Sequence, residues 1–145
     1  MIKKVKRYLL EEEAIEPFDF IGICTAHSDY RLAWHLNARF DLFFEKNPKN
    51  IEIPNKKSGN FDHFSYYSFH HPQDLISYFL IRNKQDGRLL LSEKPSIDYF
   101  LTMQDNYIIE QSDMIDNLRK MDSIIAVFGF NSKEFALSEY LISEK

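Results

Sequence analysis

Residues 97–103 read IDYFLTM, a nearly continuous apolar run that the polar triplet at residues 104–106 ends. A strand buried on both faces needs such a run, because both rows of its alternating side chains then avoid water. The run therefore predicts the central strand of a sheet, and the other segments are interpreted by their position around it.

A helix and then a strand are predicted after this central strand. Residues 108–121 carry apolar side chains at helical spacing, and Arg119 and Lys120 suit the negative end of a helix dipole. Residues 123–130 are rich in branched and aromatic side chains, which is typical of a strand. Ser132 is a candidate cap for a short final helix.

Strand and helix are predicted in the same order near the start of the chain. Pro17 ends a charged lead-in at residues 1–16, because proline pushes the preceding residue out of helical geometry. Residues 18–24 are mostly apolar and favour a strand, and Ser28 is the predicted N-cap of the helix that follows. The apolar stripe of this helix is formed by Leu32, Leu36 and Phe40.

The middle of the chain predicts a loop followed by an antiparallel meander. Residues 46–60 are rich in proline, asparagine and lysine, a composition that predicts a mobile loop. Residues 61–69 alternate as in a strand, and residues 75–81 predict a second strand after a turn. Residues 83–87 end in Asp-Gly, a strong hairpin signal, so a third strand is predicted to begin at Arg88.

Together these segments predict an α+β fold with a mainly antiparallel sheet of about five to seven strands and helices packed on one face. The chain has 145 residues, enough for one domain and too few for two. The predicted organisation is therefore the charged lead-in at residues 1–16 and a single domain over residues 17–145, interrupted by the loop at 46–60.

Composition argues against several classes of function. The net charge of −4 is unfavourable for nucleic-acid binding, which draws its affinity from neutralised phosphates. The single cysteine, Cys24, fits a reducing compartment and a structural thiol. Apolar runs all fall short of the roughly 18 residues of a membrane span, and no apolar region follows the first charges as in a secretory signal. These features predict a cytoplasmic protein with no membrane association.

Metal and nucleotide sites have no signature in this sequence. The five histidines match no recognised zinc-ligand spacing, and the four glycines are isolated, so no phosphate cradle is predicted. Neither a cofactor nor a metal is expected.

Glu93 and Asp98 flank Pro95 and are candidates for a general acid and base, provided that burial separates their pKa values. The structural alternative is that both carboxylates brace a turn.

The stretch from Tyr30 to Trp34 admits two interpretations. Trp34 combines a large apolar body with one N–H donor, which suits either the edge of a core or a recognition surface. Arg31 is able to pair with Asp29 or to stack on a ring. Packing is the default expectation for aromatic side chains at helical spacing, and partner recognition is the alternative.

Residues 91–99, LSEKPSIDY, are similar to the signature of the IPExxxVDY family, a group of bacterial proteins without an assigned function. Glu93, Asp98 and Tyr99 match the signature, whereas Ser92 stands where the family has proline. Residues 29–34, DYRLAW, also resemble that family's N-terminal helix. The resemblance extends from about residue 18 to residue 130, with the loop at 46–60 unmatched, and implies a compact domain with no catalytic residue to carry over.

Three functions remain open. The aromatic content of 15% and the lack of a reaction motif favour a non-catalytic adaptor that binds a protein partner or itself. A small-molecule sensor is the first alternative, since strand and helix junctions often form pockets. An enzyme that uses Glu93 and Asp98 is the second. The candidate binding residues are Arg31, Trp34, Glu93, Asp98 and Tyr99.

Overall fold

The structure, a computed structural model, describes residues 19–131, so the predicted lead-in and the helix expected after Ser132 lie outside it. It contains an α+β arrangement of ten strands and two helices. In chain order these elements are β1 (Asp19–Thr25), α1 (Asp29–Phe40), β2 (Glu45–Lys46), β3 (Ile51–Pro54), β4 (Phe61–Phe64), β5 (Tyr66–His70), β6 (Ser77–Arg82), β7 (Lys84–Gln85), β8 (Arg88–Leu89), β9 (Tyr99–Gln104), α2 (Gln111–Arg119) and β10 (Ile124–Asn131).

Six strands form the main sheet in the order β10-β1-β9-β6-β5-β2, and neighbouring strands are antiparallel. The predicted central strand is confirmed as β9, which lies between β1 and β6 and has all six residues buried. Leu101 is paired with Ile21 on one side and with Leu80 on the other. The apolar run at residues 97–103 is thus explained by burial on both faces of the sheet.

Both helices cover one face of this sheet, as predicted. Leu32 and Leu36 of α1 and Met114 and Leu118 of α2 join a helix-side core with the sheet residues of that face. Neither helix within residues 19–131 is long and apolar enough to cross a membrane.

The other face carries a second core, the hairpin-side core, covered by short strands and by residues 90–97. Phe20 and Phe100 stack at its centre, with ring centroids 4.8 Å apart. Ile51 of β3 and Ile97 pack into this core, and both are at most 2% exposed. The fold is therefore a sheet with a different cover on each face.

Ser28 is confirmed as the N-cap of α1. Its Oγ accepts a hydrogen bond from the backbone N–H of Arg31 at 3.4 Å, which satisfies one of the free donors of the first turn. The helix ends where Asp41 adopts a left-handed conformation with φ 58°. Local sequence signals are sufficient to place this helix.

The predicted loop at residues 46–60 is wrong for residues 51–54. These residues form β3, which pairs antiparallel with β4. Ile51 is only 1% exposed, because it contributes to the hairpin-side core. The surrounding proline, asparagine and lysine conceal this short strand in a composition argument. The predicted strand at 61–69 likewise divides at Ser65 into β4 and β5, which belong to different sheets.

The predicted meander is correct for β5 and β6 and wrong for its third strand. The residues after the Asp86-Gly87 turn form β8, which pairs only with β7 among the described strands. Asp86 and Gly87 have φ values of 52° and 78°, as a two-residue hairpin turn of this hand requires. The neighbour of β6 is instead β9, reached after the segment at residues 90–98.

Candidate functional site

The outer face of α1 carries two large aromatic side chains that the core does not use. Tyr30 is 68% exposed and Trp34 is 60% exposed, one helical turn apart. Together with Arg31 they line an open depression of about 280 Å³. Leu32 and Leu36 turn into the helix-side core instead. The expectation that Tyr30 and Trp34 pack in the core is therefore wrong. We refer to Tyr30, Arg31 and Trp34 as the α1 surface.

Arg31 supplies an uncompensated positive charge to this surface. Its guanidinium makes no hydrogen bond and no ion pair with the residues that the structure describes. The suggested pairing with Asp29 does not form. The Asp29 carboxylate instead accepts a hydrogen bond from the Tyr30 backbone N–H at 2.7 Å. Burial first, and the nearby Asp29 carboxylate second, raise the pKa of Tyr67 at the end of the sheet. Asp29 therefore makes its hydrogen bond within the first turn of α1 and leaves Arg31 unpaired within residues 19–131.

The Trp34 ring contacts one histidine ring, and a second histidine ring stacks on the first. The Trp34 ring meets His35 edge to face, with centroids 5.1 Å apart, and His35 stacks on His27 at 4.8 Å. Aromatic contacts of this kind restrict the rotamers of the rings that make them. The indole is therefore held in place while most of its surface stays open to solvent.

Asp98 is engaged in a structural junction. One carboxylate oxygen accepts from the Thr25 backbone N–H at 2.9 Å, and the other forms an ion pair with Lys84 Nζ at 3.0 Å. The Asp98 backbone N–H donates to the Ile23 carbonyl, and the Asp98 carbonyl accepts from the Asn83 N–H, both at 3.0 Å. These contacts fix the end of β1 to the start of β9.

Glu93 does not join this junction. Its carboxylate is exposed and has no partner among residues 19–131, and it makes no contact with Asp98. Glu93 belongs to the segment that covers the hairpin-side core, whereas Arg31 and Trp34 lie on a helix over the opposite face. The candidate residues from the sequence are thus distributed over separate places and do not converge on one site.

Tyr99 fixes the loop between β1 and α1. Its hydroxyl donates a hydrogen bond to the His27 carbonyl at 2.9 Å. Burial first, and the Asp29 carboxylate second, raise the pKa of Tyr99 to about 12. The phenol therefore stays protonated near neutral pH and acts as a hydrogen-bond donor to the chain itself.

Cys24 has the properties of a structural thiol. Its Sγ donates to the Ser96 carbonyl at 3.2 Å. Burial first, and the Asp98 carboxylate second, raise the pKa of this thiol above its ordinary value. A raised pKa lowers the thiolate fraction that nucleophilic chemistry requires. The described residues also contain no group of three histidine, cysteine or carboxylate side chains placed to hold a metal ion.

The residue that organises the segment at 90–98 is Asn83, which the sequence interpretation missed. Asn83 is fully buried, and its side-chain amide donates to the carbonyls of Lys94 and Ile97 at 2.9 and 2.8 Å. Its side-chain oxygen accepts from the Leu91 N–H at 2.8 Å. An asparagine at the start of a turn is a common sequence feature, and nothing in the local pattern indicates bonds to residues 8 to 14 positions ahead.

The fold and the two exposed rings define an α+β protein with a sheet-dominated core and an aromatic helix surface. No protein-family model matches the sequence, and no curated protein matches it either. The similarity of residues 91–99 to the IPExxxVDY signature therefore stays a prediction from those residues.

Proposed function

We propose that this protein is a non-catalytic interaction domain that binds a protein partner through the α1 surface. The observation that carries the proposal is the exposure of Tyr30 and Trp34 beside Arg31, whose guanidinium has no partner among residues 19–131. Tryptophan, tyrosine and arginine are the residue types that most often dominate the binding energy of protein interfaces. On α1 all three lie within one turn and a half of a helix that a sheet already holds rigidly.

The size of the exposed indole sets the scale of the interaction. A partner that covers the exposed part of Trp34 would bury on the order of 150 Å², worth roughly 3–4 kcal/mol at about 25 cal/mol per Å². The indole already contacts the His35 ring before binding, and His35 in turn stacks on His27. Little side-chain freedom is then lost on association, which favours affinity.

The two alternative functions have less support. An enzyme that uses Glu93 and Asp98 would need Asp98 to exchange protons, yet its carboxylate is bonded to Thr25 and Lys84. A small-molecule sensor would need a pocket that encloses its ligand, and the depression on α1 is open to solvent. Arg31 and Trp34 thus keep their proposed binding role, whereas Asp98 and Tyr99 are better explained as structural residues.

We place this domain in the bacterial cytoplasm as a member of the IPExxxVDY family. The similarity of residues 91–99 supports the family. The single cysteine supports a reducing compartment.

Affinity capture with a matched control tests the proposed function. The tagged protein, Trp34→Ala and Phe43→Ala are each incubated with native bacterial lysate, and captured proteins, including the chain itself, are quantified by mass spectrometry. Phe43 is 67% exposed but lies outside the α1 surface, so its replacement removes a similar ring elsewhere. We expect at least one protein to be recovered by wild type and Phe43→Ala and lost with Trp34→Ala. Equal recovery by all three folded proteins would contradict the proposal.

A further inference from the structure

A second surface, around residues 107–116, combines exposed apolar side chains with negative charge. Tyr107 is 73% exposed and Ile108 is 64% exposed. The neighbouring carboxylates of Glu110, Asp113 and Asp116 are exposed as well, and none has an ion-pair partner within residues 19–131. We refer to these five residues as the acidic surface. It has the same mixed character as the α1 surface, with charge of the opposite sign.

The local backbone holds Tyr107 and Ile108 outward. The Asn106 side-chain oxygen accepts from the N–H groups of Ile108 and Ile109 at 3.0 and 2.8 Å, and its amide donates to the Ile109 carbonyl at 2.7 Å. Ile109 packs against the helix-side core. Side-chain hydrogen bonds of an asparagine thus fix a turn that leaves two large side chains in solvent.

We propose that the α1 surface of one copy of this chain binds the acidic surface of a second copy. The inference rests on the proposed function and names the partner. Within residues 19–131 Arg31 pairs with no carboxylate, and the carboxylates of the acidic surface pair with no cation there, so they match its guanidinium. The rings of Tyr30 and Trp34 cover apolar area that Tyr107 and Ile108 leave exposed. Charge and apolar character therefore match at the same contact.

Contact between two α1 surfaces is disfavoured by the same charges. It would bring Arg31 of each copy against Arg31 of the other without a compensating carboxylate, and unpaired like charges in an interface are costly. The pairing of unlike surfaces avoids this repulsion. It also places the carboxylates of the acidic surface next to the Arg31 guanidinium, which has no partner in the described part of the chain.

The two surfaces lie in the same layer of the protein. Arg39 Nη2 of α1 donates to the Asn117 side-chain oxygen of α2 at 3.1 Å, so the two helices are neighbours on one face of the sheet. A two-fold axis across this layer lets each copy present one surface and receive the other. The contact is then made twice, which brings the buried area towards the roughly 800 Å² per partner of a stable interface.

Charge exchange between two variants tests this pairing. Arg31→Glu sets a carboxylate against the acidic surface, and Asp113→Lys with Asp116→Lys sets ammonium groups against Arg31. Sedimentation equilibrium should show a wild-type dimer and a dissociation constant raised at least about tenfold in each variant alone. An equimolar mixture of the two variants should restore the dimer, because each altered surface then meets its complement and the unaltered pair is retained. Lys49→Glu, at an exposed cation elsewhere, changes the net charge by the same amount as Arg31→Glu and should leave the dimer intact.

Several results would overturn the inference. A wild-type chain that stays monomeric at millimolar concentration would do so, as would a mixture of variants that remains monomeric. Monomeric wild type with Trp34-dependent capture of a different protein would leave the proposed function standing and refute self-association alone. Trp34-dependent binding of a fluorescent oligothymidylate, measured by anisotropy, would instead assign the α1 surface to single-stranded nucleic acid, where bases stack on aromatic rings.

Discussion

Asn83→Ala removes a buried side chain that joins three backbone groups in the segment leading to the central strand. Its amide donates to the carbonyls of Lys94 and Ile97, and its oxygen accepts from the N–H of Leu91. Alanine supplies none of these bonds. The Ile97 carbonyl and the Leu91 N–H bond to Asn83 in buried surroundings, whereas the bond to the Lys94 carbonyl is only partly buried. The substitution therefore leaves two buried polar groups without their partner.

The expected loss of stability follows from these three bonds. Taking about 1–2 kcal/mol for each of the two buried groups, and less than about 1 kcal/mol for the Lys94 carbonyl that water can reach, gives roughly 2–5 kcal/mol. Small domains have a total free energy of unfolding of about 5–15 kcal/mol, so this is a large fraction of it. The variant should still fold but unfold at much lower urea concentration.

Urea unfolding followed by far-ultraviolet circular dichroism measures this loss by linear extrapolation. Asn117→Ala is the matched control, because both hydrogen bonds of this side chain, its amide to the Asp113 carbonyl and its oxygen from Arg39, lie in exposed positions. Its loss should cost less than about 1 kcal/mol, since water replaces the missing bond. The reasoning about Asn83 is refuted if its replacement costs no more than that of Asn117 while the denaturant slope stays unchanged.

Two further predictions follow from raised pKa values. The pKa of Tyr99 is about 12 in the folded chain, whereas a tyrosine in the unfolded chain has a pKa near 10. The contribution of the protonated phenol to stability is therefore complete below about pH 10 and is lost as the pH rises towards 12. Between about pH 10 and 12 the urea midpoint should therefore fall less in Tyr99→Phe than in wild type. Tyr107→Phe, the control at an exposed ring, should show the same fall as wild type. Cys24 should react with iodoacetamide in the native state with a pH midpoint above that of the unfolded chain, and a native midpoint at or below the unfolded one would contradict the raised pKa.

Local signals were sufficient where a segment is defined by its own residues. The apolar run at 97–103 identifies a strand buried on both faces, and the structure has β9 there. Ser28 identifies a helix start, and Asp86-Gly87 identifies a tight turn. In each case the physical cause lies within a few residues of the signal.

Prediction failed where a distant partner decides the outcome. Periodicity identifies the stripe of α1 through Leu32 and Leu36 that the sheet covers, but it cannot tell whether the neighbouring stripe through Tyr30 and Trp34 is covered as well. β3 exists because Ile51 fits a core formed by residues far along the chain. The candidate surface is therefore visible only once the orientation of α1 is known.

The segment at 90–98 shows that sequence alone also cannot tell a catalytic side chain from a structural one. The carboxylates and the lysine of this segment suggest acid–base chemistry, yet the contacts of Asp98 and Lys94 stabilise the fold. Asp98 accepts a hydrogen bond from the end of β1 and pairs with Lys84. Lys94 Nζ lies 4.6 Å from the centroid of the Phe130 ring on β10. Functional groups that serve the fold in this way are not available to a ligand. Arg31 and the carboxylates of the acidic surface, in contrast, have no ion-pair partner among residues 19–131. A binding function is therefore better sought in these side chains than in the most recognisable stretch of the sequence.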